Sequence, residues 1–201
     1  MALTLYCSLT SPYARRVRLA TRLLALSAEI REEIVNPFDS PAALLARNPL
    51  SKIPVLSDEA GLLLPDSHLI LSYLLQRTGL SMPAARGDWE QARQLVLAEG
   101  LTDASIAIVM ENRRPESIRY PQQIDRQAAA ITRCLDAVAT PPDQAFERVD
   151  PIALSLASAL AYLDFRLPWL QWRQQQPRLA TWLDCLEEHA AMRETRPPES
   201  A

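Results

Sequence analysis

The chain is poor in glycine. Gly61, Gly79, Gly87 and Gly100 are the only four in 201 residues. No two stand close enough to cradle a phosphate, which excludes a dinucleotide-binding fingerprint, a P-loop and a G-x-S-x-G elbow. Histidine is scarcer, with His68 and His189 far apart, and the three cysteines (Cys7, Cys134 and Cys185) form no C-x-x-C pair. Such a set predicts no zinc site, and no metal is expected. Odd, scattered cysteines in a chain of this size point to reduced thiols and a cytoplasmic setting. No run reaches the roughly 18 apolar residues of a membrane span. The opening MALTLYCSLTSPYARR lacks a charged region followed by a long apolar stretch, so no signal peptide is expected. Lysine is nearly missing: Lys52 stands alone among 21 basic residues. Against 24 acidic residues the net charge is −3, which offers no general attraction to nucleic acid or to an anionic membrane. What is present is ordinary for a globular protein, 48% hydrophobic and 22% charged, enough for one large domain or two small ones with a sizeable core.

The first 78 residues read as β-α-β-α-β-β-α. Leu3 to Cys7 alternates as a strand does. Ser11-Pro12 opens a helix with Val17, Ala20 and Leu24 on one face and Arg15, Arg18 and Arg22 on another, a face read as solvated. Glu32 to Val35 is a second strand and Ala42 to Arg47 a short helix. Ile53 to Leu56 and Leu62 to Leu64 are two strands joined by a turn at Asp58 to Gly61. Ser67 starts a further helix, with Ile70, Tyr73 and Leu74 together. A helix between strands implies a parallel pair, and the short turn adds an antiparallel strand. Residues 79–87 read as a linker. From residue 88 to 201 the pattern is all helical. Asp88 with Gln91 has the form of a capping box. Tyr120, Ile124, Ala128, Ile131, Leu135 and Val138 form an amphipathic stripe that Pro141-Pro142 ends. Asp150-Pro151 caps a helix with Ile152, Leu156, Ala159, Leu160 and Leu163 on its apolar side. Pro177 opens a last helix. Trp169, Trp172 and Trp182 are read as packing residues.

Three segments of the first domain can carry chemistry. Ser11-Pro12-Tyr13-Ala14 places a hydroxyl at a helix N-terminus. Locally it is an N-cap, but the same hydroxyl and the positive helix end suit a bound thiolate. Asn48-Pro49 through Pro54-Val55-Leu56 puts a proline at the entry to a strand. If that bond is cis, Pro54 leaves the N–H and C=O of Ile53 free for a peptide ligand. Asp66-Ser67 precedes a helix. Ser67 is expected as the N-cap, while the free helix end suits a carboxylate and Asp66 an ammonium.

In this order and spacing the segments resemble the soluble glutathione S-transferase family over nearly the whole chain. Detailed similarity is nearest to small bacterial members with an active-site serine. The resemblance implies a thioredoxin-like first domain that binds glutathione and an all-α second domain that holds the electrophile. Ser11 falls where some classes carry the serine that activates the thiol. Pro54 matches the family's cis-proline, Ile53 the residue that bonds the cysteinyl unit, and Asp66-Ser67 the pair that holds the γ-glutamyl end. Lys52 would face the glycyl carboxylate. Because position 11 is Ser and not Cys, disulfide exchange is disfavoured, since Ser forms no mixed disulfide. Tyr6, Ser8 and Thr10 compete with Ser11 for the thiol. On the helix after the linker the secondary candidates are Asp103, which by the resemblance would reach the neighbouring subunit's glutathione amine, and Met110 and Arg113, which would line the electrophile pocket, with ordinary helix-surface or core roles as the alternative. His68 is read as a surface residue.

The function this implies is a transferase that conjugates glutathione, the co-substrate, to a small hydrophobic electrophile in a detoxification role, as a cytoplasmic homodimer. Two other readings remain. One is a different glutathione chemistry, such as peroxide reduction or dehalogenation. The other is a non-catalytic interaction protein of the same fold, because fold does not fix function. Adaptor relatives often lose the serine or the acidic-Ser pair, and this chain has both.

Overall fold

The computed structural model describes residues 3–138 and 146–198. They form two compact units. One runs up to Arg86 and takes in the segment that begins at His189, and the other is Gly87–Glu188. The linker reading at residues 79–87 thus overlaps the division, but the closing segment groups with the first unit, where the sequence pattern had carried the helical domain to the end.

The first unit is built on a four-stranded mixed sheet of order β2-β1-β3-β4, with β1 Leu3–Cys7, β2 Ile30–Ile34, β3 Val55–Ser57 and β4 Leu63–Pro65. β1 runs parallel to β2 and antiparallel to β3, which turns back antiparallel into β4. The helices are α1 Pro12–Leu23, α2 Ala42–Leu45 and α3 Ser67–Arg77, with α9 Ala190–Glu194 from the far end of the chain. The order β-α-β-α-β-β-α is therefore the observed one. β2 starts two residues earlier than its pattern suggested, because Leu3 pairs with Ile30 and Cys7 with Ile34. β3 starts later because Ile53 and Pro54 stay outside the ladder. The Asp58 turn closes through Asp58 Oδ1, which accepts from the N–H groups of Ala60 and Leu62, with Gly61 at φ 98°.

Alternation along β1 sorts its side chains. Leu5, Cys7 and Leu56 are fully buried on the side of α1 and α3, which pack on each other. Tyr6 turns to the opposite face and forms a small cluster with Leu44 of α2 and Val55.

The arginines of α1 correct the sequence reading. Arg15, Arg16 and Arg18 are buried, not solvated, and Arg22 is half-buried. Their charged ends find acceptors that sequence spacing does not reveal. Arg15 Nη2 donates to the Met192 carbonyl at 3.2 Å and Arg18 Nη1 to the Thr195 carbonyl at 3.3 Å, which ties α9 to α1. Glu32 of β2 accepts from Arg18 Nε at 2.8 Å and from Arg22 Nη1 at 2.7 Å. Burial would raise the Glu32 carboxyl, but the bonds and charges of Arg22 and Arg18 outweigh it and hold the group below the usual range. His189 caps α9 by accepting the Ala191 N–H on Nδ1.

The second unit is helical: α4 Trp89–Asn112, α5 Pro121–Ala137, α6 Pro151–Arg166, α7 Trp172–Gln175 and α8 Pro177–Glu187. Asp88 caps α4 through the Gln91 N–H, and Asp150 caps α6 through the Ile152 N–H, with Pro151 as the first helical residue. α6 is buried on every side from Pro151 to Leu163 and packs on α4 and α8, so it is the core helix of this unit. The stripe on α5 is narrower than its spacing suggested. Ile131 and Leu135 are buried, whereas Tyr120 precedes the helix and is 58% exposed. The Pro141-Pro142 break lies outside the described residues. Trp172 packs in the core with Nε1 donating to Asp164, but Trp169 is exposed, against expectation. Asp164 also takes a bidentate pair from Arg173, which bridges on to Asp184 of α8. No helix among the described residues is long and apolar enough to cross a membrane.

Candidate functional site

Ser11 is the N-cap of α1, with φ −81° and ψ 124°, and Pro12 follows as the first helical residue. Its Oγ accepts the Ala14 N–H at 3.2 Å. A hydroxyl that accepts from the backbone keeps its own proton for another partner. Because the group is only half-buried and sits on the positive end of a twelve-residue helix, that partner is best an anion.

The competing hydroxyls are placed less well. Ser8 Oγ and Thr10 Oγ1 lie 3.2 Å apart, and Ser8 Oγ also accepts the Thr10 N–H, so these two satisfy each other. The Tyr6 ring is buried against Leu44 and Val55 and lies under the Arg47 guanidinium, 4.7 Å from its centroid. Cys7 is no nucleophile. Burial foremost, with Glu32 nearby, pushes its thiol up to about 12 against the opposing pull of Arg18 and Arg22.

The Ile53–Pro54 peptide bond is cis. Among the described residues neither the N–H nor the C=O of Ile53 enters a backbone hydrogen bond. The segment before it is held by Asn48, whose Nδ2 donates to the Lys52 carbonyl at 2.9 Å and whose Oδ1 accepts the Leu50 N–H at 3.0 Å. Asn48 is nearly fully buried, so it works as an internal bracket, a role the sequence motif did not disclose. Lys52 is exposed, its head reaching solvent beside this edge.

At α3 the structure reverses the expected cap. Asp66, not Ser67, is the N-cap, in left-handed backbone at φ 87°. Its Oδ1 accepts from the His68 N–H at 2.6 Å and the Leu69 N–H at 3.2 Å. Neither bond uses Oδ2, and the side chain is exposed, so the carboxylate can meet a cation while it caps. Ser67 becomes the first residue of α3 and is buried, with Oγ accepting from Arg16 Nη2 at 2.7 Å. Arg16 was not among the candidates, since its partner lies 51 residues on. Thus the N-terminal ends of α1 and α3 and the open edge at Ile53 belong to one unit. That unit offers a hydroxyl, a backbone N–H and C=O, a carboxylate and a serine at the start of α3, a mixture of donors and acceptors that suits a ligand carrying both charges.

The secondary candidates lie on α4 of the helical unit. Asp103 is exposed, Met110 half-buried, and Arg113 is the exposed C-cap residue. Nearby on α6, Tyr162 is buried, and burial raises its phenol despite the charges of Arg166 and Arg113. It therefore stays protonated near neutral pH and can only donate or accept a hydrogen bond. Among the described residues no group of three His, Cys, Asp or Glu could hold a metal ion.

A thioredoxin-like domain of this topology followed by an all-α domain defines the architectural class. Residues 5–82 match the family model described as the glutathione S-transferase N-terminal domain. The GST-like protein YibF of Escherichia coli K12 is 28% identical over 96% of this chain and 98% of its own. A glutathione transferase family member from Pseudomonas fluorescens Pf-5, solved with bound glutathione, is 34% identical with a TM-score of 0.88, over 98% of this chain and 100% of that one. A structure from the same organism with bound S-(propanoic acid)-glutathione is 31% identical with a TM-score of 0.82, covering 98% of both. The chain belongs to the glutathione transferase family.

Proposed function

We propose that the protein binds glutathione along the Ile53 edge, ionises its thiol with Ser11, and joins the sulfur to a small hydrophobic electrophile. The observation that carries this is Ser11 itself. Its Oγ is committed as an acceptor to Ala14, so its proton is directed outward at the positive end of α1. The cysteinyl unit would add to Ile53 as an extra strand does, through the N–H and C=O that the cis bond leaves unladdered. Asp66 would take the γ-glutamyl ammonium, Ser67 the γ-glutamyl carboxylate, and Lys52 the glycyl carboxylate. Donation from Ser11 Oγ–H favours the thiolate over the thiol, so more nucleophile exists at neutral pH. The sulfur lone pair then forms the C–S bond. A leaving group departs with its electron pair, or the adjacent carbon takes a proton.

Two observations support this reading over a purely adaptor role. Ser11, Asp66 and Ser67 each have hydrogen-bonding capacity to spare, and a Pseudomonas fluorescens relative has been solved with bound S-(propanoic acid)-glutathione. The electrophile would be held by the helical unit, with Met110 and Arg113 as its candidate lining, and Asp103 would reach the glutathione amine of a neighbouring subunit. We also propose a second copy of the chain as its partner, in a cytoplasmic, detoxifying role. The test is the thiolate absorbance of bound glutathione against pH. Ser11→Ala should raise the bound thiol pKa by about one unit, the equivalent of ~1.4 kcal/mol, with little change in glutathione affinity. An identical titration curve in the variant removes Ser11 from the role.

A further inference from the structure

We infer that the electrophile carries a carboxylate on an apolar body, and that Arg166 of α6, Arg113 of α4 and the Tyr162 hydroxyl hold that carboxylate. The inference rests on the transferase reading above and narrows its second substrate from any small apolar molecule to an apolar anion. Tyr162, Phe165 and Arg166 stand outside the set read from the sequence. Tyr162 and Arg166 are four residues apart and share a face at the end of α6. Tyr162 is 5% exposed. Arg166 hydrogen-bonds its hydroxyl, and the charge of Arg113, at the C-terminal end of α4, acts on the same group. A guanidinium only donates, so the Tyr162 oxygen accepts and its own proton remains for an acceptor. Burial raises the phenol, which keeps that proton at neutral pH.

The same face is apolar. The Arg166 guanidinium stacks 4.0 Å from the Phe165 ring centroid, and Phe165 meets the Tyr162 ring edge-on at 6.4 Å. Stacking fixes the plane of the guanidinium, whose fork matches the two oxygens of a carboxylate. A helix C-terminus accounts for one cation at each helix end. It does not account for both charges falling on one buried phenol. The acids at these helix ends are engaged elsewhere: Asp164 by Trp172 and Arg173, and Glu111 by Arg114 and the Tyr120 N–H. Two cations, a phenol proton and an aromatic face together complement an anion with an apolar body.

The experiment compares the steady-state kinetics of 4-fluoro-3-nitrobenzoate and its methyl ester. In both, the glutathione sulfur bonds to the same ring carbon and fluoride leaves with the electron pair of the C–F bond, so the carboxylate is the difference. Rates are taken relative to the uncatalysed reaction. The proteins are wild type, Arg166→Gln, Arg166→Lys, Arg113→Gln and Arg93→Gln, each with a thermal melt to establish folding. Wild type should show a lower KM for the acid than for the ester. Arg166→Gln should raise the acid's KM about tenfold more than the ester's, and Arg113→Gln about threefold more. Arg166→Lys, which keeps the charge without the fork, should recover part of the loss and covers the case in which the neutral variant fails to fold. Arg93→Gln, which removes an exposed cation near the start of α4, should leave the acid-to-ester ratio as in wild type. Equal KM values in wild type, or equal changes for acid and ester in Arg166→Gln, overturn the inference. If neither compound is turned over, the transferase reading has failed, and calorimetry with 3-nitrobenzoate, which has no leaving group, decides the anion site by itself. Binding that Arg166→Gln weakens upholds it, and absence of binding to wild type overturns it.

Discussion

Replacing Glu32 by Gln removes the carboxylate that two α1 arginines share. The bonds are short, 2.8 Å from Arg18 and 2.7 Å from Arg22, and the Arg18 side chain is 5% exposed. Breaking a buried ion pair from one side costs ~3–5 kcal/mol, because the other charge stays desolvated. The Glu32 side chain is 22% exposed, so water takes over part of its role, and about 2–3 kcal/mol is the expected loss. In a chain of this length each kcal/mol moves the melting temperature by about 2–4 °C, so Glu32→Gln should lower it by about 5–10 °C at pH 7. Glu33→Gln is the matched control. Its bond to Arg31 is 3.4 Å long and the Arg31 side chain is 70% exposed, so its loss should be nearly silent. The pH dependence follows from the depressed carboxyl. A group whose pKa falls on folding adds stability above its unfolded value, about 4.3, and loses it as the pH drops through the folded value. The gap between wild type and Glu32→Gln should therefore be full at pH 7 and close below about pH 4. Urea melts across that range test it. A gap that is absent at pH 7, or that stays constant into acid, would refute the reasoning.

Two further predictions follow from the site. Asp66→Asn keeps an N-cap that tolerates left-handed backbone, so the melting temperature should hold while glutathione affinity falls; Asp66→Ala should also lose about 1 kcal/mol of stability, read by urea denaturation. Maleimide labelling of the native protein at neutral pH should modify the exposed Cys185 first and leave the buried Cys7 untouched until denaturant is added, as mass mapping of the peptides would show.

How legible was this molecule in its sequence? Local rules carried far. The alternation of Leu3 to Cys7, the Ser11-Pro12 start of α1, the Asp88 cap and the Asp150-Pro151 start of α6 all stand as read, because each depends on neighbours a few residues away. The misses share a different origin. The α1 arginines look like a wet helix face until Met192 and Thr195 come in from 177 residues away to accept from them. The link from Arg16 to Ser67 is non-local in the same way. The cap of α3 moved by one residue because Asp66 adopts a left-handed backbone, which composition does not announce. Trp169 follows Pro168 in a single 3-10 turn, where helical periodicity assigns no inner face. The family resemblance brought out Ser11, Ile53, Pro54 and Asp66-Ser67 together, whereas each alone reads as ordinary turn or cap chemistry.

The proposed glutathione site lies at the N-terminal ends of α1 and α3. Calorimetric titration of the purified protein with glutathione, beside Ser67→Ala, tests it most directly. Micromolar to low-millimolar binding is expected in wild type and its loss in Ser67→Ala, a variant that should still fold but melt lower, because the buried Arg16 loses its acceptor. Absence of binding in wild type at millimolar glutathione, or equal binding in Ser67→Ala, would contradict it.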